Sequence, residues 1–269
     1  MTGWRWENPE APPLLFLHAT GFCASAYRQI LSHVSCKYDI YALDLRGHGL
    51  NTTPADPARL HSWGVFRDDI RAFLDSNGRS AWTLAGHSLG GAVSLLAAQD
   101  RTDVAELRLV EPVAVPLWLS ALAKTPIWPM LSPRMPLVKM AARRRSEWDD
   151  RESVVASYAR KSLFSAWAPG VLEDYLVDGL IAEGGKVRLS CSPAWEAATF
   201  AAQANDFWEA AAAAPAPVRV FVARNAASTA PAFARRRLVK MGANIVTDES
   251  AGHLAPMQKP RELADFLTS

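Results

Sequence analysis

Two rhythms of apolar and polar positions run along the chain. Short, mostly apolar runs at 14–18, 38–44, 81–85 and 107–111 alternate with longer stretches, 24–34, 61–74 and 89–100, whose composition suits amphipathic or buried helices. Strands this short and this apolar, joined by short connections, are expected of a mostly parallel sheet covered by helices on both faces. After Pro112 the rhythm stops. Pro116, Pro126, Pro129, Pro133 and Pro136 would each break a long helix, and the stretches 153–164, 171–180 and 195–214 read as helices without intervening strands. The strand pattern returns at 218–222, followed by a helix at 232–241, a strand at 244–247 and a closing helix at 260–267. One sheet domain, residues 1–112 and 217–269, is therefore expected, divided by a mostly helical insertion at 113–216.

Composition narrows the classes. The chain has 269 residues, 49% hydrophobic and 21% charged, which suits a soluble globular protein. Lys and Arg total 29 against 27 Asp and Glu, a net charge of +2, so nothing argues for a nucleic-acid partner. The start, MTGWRWENPE, lacks the apolar stretch of a secretory signal, and no run approaches a membrane span; no membrane association and a cytoplasmic location are expected. Cys23, Cys36 and Cys191 are odd in number and widely spaced, so three free thiols are expected rather than a disulfide framework or a zinc site.

The chemistry concentrates at Gly86-His87-Ser88-Leu89-Gly90, a G-x-S-x-G motif directly after the strand at 81–85 and before an apolar helix. A serine at a tight strand-to-helix turn needs neighbours with almost no side chain, and the helix start beneath it offers unpaired N–H groups to a developing negative charge. Gly252-His253 lies late in the chain, after a strand and before the last helix. An imidazole there completes the order nucleophile, acid, base, and it can take and return a proton near neutral pH. His87 is expected to point away from the Ser88 hydroxyl, His33 and His61 to lie at the surface, and His48 to be structural. Arg143-Arg-Arg145 is followed by Glu147, Asp149 and Asp150 and reads as a solvated, self-neutralised helix face.

Taken together, the His18-Ala-Thr-Gly21 loop, the Asp44-Leu-Arg-Gly-His-Gly49 turn, the Gly86–Gly90 elbow and the Gly252-His253 pair resemble the α/β-hydrolase superfamily, in the branch with a helical lid after the sixth strand. The resemblance implies an α/β-hydrolase fold with a seven- or eight-stranded sheet, since few residues precede the strand at 14–18. It places oxyanion donors at the N–H groups of Thr20 and Leu89, although the usual H-G pair reads His18-Ala19 here. The acid departs from the common pattern. The position past the seventh strand that usually holds Asp holds Ala226, with Asn225 one residue early, while Glu111 stands at the superfamily's other location, the end of the sixth strand. Glu111 is the expected acid, with Asn225 and Asp248 as weaker candidates. Trp118, Trp128 and Met130 in the insertion would offer apolar walls to substrate.

The implied activity is hydrolysis of a small to medium, largely apolar carboxylic ester or lactone through an acyl-enzyme on Ser88. No cofactor or metal is required, and the partner is a small acyl compound bound by a monomer or homodimer. An amide or carbon–carbon bond hydrolase fits the same machinery, and a non-catalytic binder is the competing class. The discriminator is geometric: a hydrolase needs Glu111 within reach of His253, and Ser88 facing the ring.

Overall fold

The computed structural model describes residues 2–224 and 228–269. Ten strands are present among them: β1 (Gly3–Trp6), β2 (Pro13–Leu17), β3 (Asp39–Leu43), β4 (Trp82–His87), β5 (Val104–Val110), β6 (Glu147–Trp148), β7 (Leu180–Glu183), β8 (Lys186–Leu189), β9 (Val218–Ala223) and β10 (Asn244–Asp248). Seven form one sheet in the order β1-β3-β2-β4-β5-β9-β10. Every pairing in it is parallel except β1 on β3. The six strands expected from the apolar runs are all there. β1 was not foreseen, because a four-residue edge strand with partly exposed residues carries no continuous apolar run.

Alternation along β2 shows why the sheet sits between two helical layers. Leu15 and Leu17 join a core with the helices Gly64–Asn77 and Leu89–Ala98, whereas Leu14 and Phe16 join a second core with the helices Arg28–Val34 and Pro260–Thr268. All five β2 residues are buried, as expected of a strand with both faces covered. No helix among the described residues is long and apolar enough to cross a membrane.

Residues 113–216 lie between β5 and β9, which are neighbours in the sheet. With seven strands rather than eight, this segment follows the fifth strand in chain order, not the sixth. Among its helices, β6, β8 and β7 form a small antiparallel sheet. The helix anticipated over 195–214 is two helices, Pro193–Ala201 and Phe207–Ala212. Asn205 separates them because its side chain is committed elsewhere: its Oδ1 accepts the Trp63 N–H at 2.7 Å and its Nδ2 donates to the Ala202 carbonyl. Indole groups tie the segment to the sheet domain, the Trp195 Nε1–H donating to the Arg46 carbonyl at 2.8 Å and the Trp63 Nε1–H to that of Thr199 at 3.1 Å.

Candidate active site

Ser88 occupies the turn between β4 and the helix Leu89–Ala98 with φ +56° and ψ −114°, a conformation a side chain rarely adopts. The turn persists because its surroundings determine it. The Ser88 N–H donates to the Val110 carbonyl at 2.9 Å, and the helix start packs against β2 so closely that a Cβ on Gly90 would lie 2.1 Å from the Leu17 carbonyl oxygen. The glycine spacing of the motif thus follows from the contact between helix and strand.

The His253 ring bridges Ser88 and Glu111. Its Nε2 lies 3.1 Å from Ser88 Oγ and its Nδ1 3.2 Å from Glu111 Oε2, so a proton on Nδ1 leaves Nε2 free to accept from the serine hydroxyl. Glu111 follows the last residue of β5 with φ +46°, and its side chain is fully buried. Burial opposes ionisation of this carboxyl, but hydrogen bonds from His253 and from the Ala223 and Thr229 N–H groups outweigh it and hold it below the ordinary carboxylate range. The Ala223 N–H donates at 2.6 Å, Ser228 Oγ at 2.9 Å and the Thr229 N–H at 3.0 Å. Asp248 is committed elsewhere, to Lys259 Nζ at 2.7 Å and to the Ser250 and Ala251 N–H groups. Asn225 and Ala226 lie outside the described residues.

The loop after β2 has its N–H groups almost fully assigned. Ala19 donates to Tyr27 Oη at 3.1 Å, Gly21 to His48 Nε2 at 3.1 Å, and Phe22 to the Ala19 carbonyl at 3.1 Å. Among the described residues, the Thr20 N–H has no protein acceptor. Leu89, the first residue of its helix, has no intrahelical acceptor either. His48, expected to be structural, holds this loop. Burial lowers its pKa to about 4, so it is neutral, with its Nδ1–H donating to the Arg46 carbonyl and its Nε2 accepting from Gly21.

The three apolar residues expected to wall the substrate are placed differently from one another. Trp118 and Met130 are 68% and 69% exposed, and Trp128 is buried within the insertion, its Nε1–H donating to the Ala201 carbonyl. These side chains follow local helix packing, which an unpatterned, Pro-broken sequence does not reveal. Beside the elbow the Tyr27 ring lies 6.0 Å from that of His87, and Phe22 packs there with Trp167 and Tyr175 against it. The Phe22 ring lies 6.5 Å from that of His87, stacks on Trp167 at 5.9 Å and meets Tyr175 at 5.5 Å. Of Phe22, Trp167 and Tyr175, only Phe22 carried a signal, directly following the His18–Gly21 loop.

The reading of Arg143-Arg-Arg145 also needs correction at its middle residue. Arg144 turns inward, pairing with Glu196 at 3.0 Å and donating to the hydroxyls of Tyr158 and Tyr175, each at 2.9 Å. Tyr175 Oη donates in turn to the Gly21 carbonyl, so this buried ion pair rests against the loop that carries Thr20.

Three comparisons bear on this arrangement. A family model described as "Alpha/beta hydrolase family" matches residues 14–266. Among curated proteins, the 3-oxoadipate enol-lactonase 2 of Acinetobacter baylyi is 33% identical over 82 residues, 30% of each chain. The 2-(acetamidomethylene)succinate hydrolase of Mesorhizobium japonicum is 29% identical over 98 residues, 36% of this chain and 34% of its own. The matched stretches thus span about a third of these relatives. A crystal structure of E-2-(acetamidomethylene)succinate hydrolase superposes with a TM-score of 0.80 over 97% of this chain and 92% of that one, at 20% identity, a likeness of fold.

Proposed function

Because the chain belongs to the alpha/beta hydrolase family, we propose that it is a serine hydrolase that cleaves a small carboxylic ester or lactone through an acyl-enzyme. The observation that carries this reading is the continuous contact from Ser88 Oγ through the His253 ring to Glu111, at 3.1 and 3.2 Å. It supports a hydrolase over a binder built on the same fold.

In the proposed cycle His253 Nε2 takes the Ser88 proton as Oγ attacks the substrate carbonyl carbon. The resulting oxyanion is held by the N–H groups of Thr20 and Leu89, donors of a kind worth roughly 3 kcal/mol each to the transition state. The imidazolium returns the proton to the departing alkoxide. Water then attacks the acyl-enzyme, giving its proton to His253 and releasing acid and free Ser88. Glu111 holds the ring tautomer and stabilises the imidazolium, with its own charge maintained by the three donors that surround it. Phe22 and Trp167 would pack against the apolar part of the substrate.

A second reading is favoured by the name of one relative, a 2-(acetamidomethylene)succinate hydrolase: hydrolysis of an N-acyl bond in a substrate bearing carboxylates. It uses the same serine and base with an amine leaving group.

Labelling with a fluorophosphonate tests the common mechanism. Wild-type protein is expected to label at Ser88, Ser88→Ala not at all, and Glu111→Gln roughly 10³- to 10⁴-fold more slowly, the scale seen when a triad carboxylate becomes an amide. No labelling of the wild type, or undiminished labelling of Glu111→Gln, would count against the mechanism. Turnover of paired ester and N-acyl substrates with the same carboxylate then separates the two readings.

A further inference from the structure

His87, beside the serine, and Tyr27, far from it in sequence, form a buried chain of hydrogen bonds that the proposed cycle does not use. The Ala19 N–H reaches Tyr27 Oη at 3.1 Å, Tyr27 Oη lies 2.8 Å from His87 Nδ1, and His87 Nε2 lies 2.8 Å from the main-chain carbonyl of His253. Both side chains are fully buried. The protons in this chain have one self-consistent arrangement. A carbonyl only accepts, so His87 Nε2 carries a proton and donates it to His253. Burial pushes the His87 pKa well below its ordinary value, with the neighbouring His253 adding to the effect, so the ring is neutral and Nδ1 must accept. The Tyr27 hydroxyl fills that role with its single proton while accepting from Ala19.

The consequence is mechanical. One imidazole, covalently next to Ser88, grips the backbone of the residue whose ring faces the serine. Through Tyr27 it also grips the peptide N–H immediately before Thr20. We infer that His87 and Tyr27 are positioning residues for acyl transfer, setting the nucleophile turn, the base and the first oxyanion donor in mutual register. The inference rests on the proposed hydrolase reading for its catalytic meaning. The hydrogen-bond chain itself does not depend on that reading. Register of this kind matters because a misplacement of about 1 Å in a catalytic arrangement can cost roughly 10² in rate.

Tyr27→Phe removes one oxygen and keeps the ring that packs on Phe16 at 4.8 Å. On the substrate found for the wild type, or with the fluorophosphonate if none is found, it is expected to lower kcat or the labelling rate roughly 10- to 100-fold, with KM changed less than threefold. His87→Gln, whose amide can still donate to the His253 carbonyl, should retain more activity than His87→Leu. Long-range 1H–15N spectra of the wild type should show His87 as the Nε2–H tautomer, with that state unchanged from pH 5.5 to 8.5. Wild-type rates in Tyr27→Phe, equal rates in the two His87 variants, or a proton on His87 Nδ1 would each overturn the inference. Failure of the hydrolase reading is distinct, since an unlabelled wild type or a reactive Ser88→Ala would remove the activity while leaving the His87 tautomer as described.

Discussion

Asp44 illustrates how much a single carboxyl can carry. It follows the last residue of β3 and is fully buried, its Oδ1 accepting the Ala24 N–H at 2.8 Å and its Oδ2 the Leu50 N–H at 2.9 Å. Burial raises its pKa to about 6 despite those two donors. An unfolded aspartate titrates near 4, so between pH 4 and 6 the folded protein binds the extra proton, and this residue's contribution to stability falls as pH rises through that window. Two pKa units correspond to about 3 kcal/mol. Urea denaturation of the wild type and Asp44→Asn should show the wild type losing about that much relative to the variant between pH 4 and 7. A difference that stays constant with pH would refute this assignment. Glu111 is perturbed in the opposite direction because it accepts more donors, His253 among them. A sequence shows that a carboxyl is present, but the number of N–H groups that converge on it is settled only by folding.

The elements that build the site were legible to different degrees. The elbow was legible because its requirement is local: Gly86 and Gly90 flank Ser88 where β4 meets its helix, and a side chain at either would strike backbone. Gly90→Ala is therefore expected to destabilise by about 3 kcal/mol, the upper end for an overpacked core, because the obstructing Leu17 carbonyl belongs to a central strand and cannot turn aside. Chemical denaturation checks this, and a loss under about 1 kcal/mol would show that the helix start can shift away from β2. The strands were legible because burial on both faces demands unbroken apolar runs. The small sheet of β6, β7 and β8 was not, since strands of two to four residues at a surface carry too few positions to show a period.

At the scale of the molecule, the segment 113–216 is fastened to the sheet domain by contacts that no local pattern announces. Arg144 and Glu196, distant in sequence but both within that segment, pair with side chains 22% and 10% exposed and rest against the Gly21 loop, whose carbonyl accepts from Tyr175 Oη. Removing one partner leaves the other charge largely desolvated, so Arg144→Met should cost about 3 kcal/mol. Adding Glu196→Gln to that variant should recover part of the loss. Thermal and urea unfolding of the two single variants and the double variant measure the coupling, and strictly additive effects would show that the pair contributes none. Trp118, Trp128 and Met130 make the same point from the other side. Their apolar character is evident in the sequence, yet helix packing sends two of them to solvent and the third against Ala201.

By itself the sequence determined the parallel sheet, the family, the serine turn and the pairing of that serine with a late histidine, because each rests on short-range sterics or on chain order. It also placed a carboxyl at the end of β5. Only the tertiary structure decided that Glu111 meets His253, that Arg144 turns inward, and that Phe22 packs near His87 with Trp167 and Tyr175 against it. Those outcomes depend on which side chains converge from distant segments once the backbone's own hydrogen bonds are satisfied, and pairwise convergence of that kind leaves no period in a linear chain.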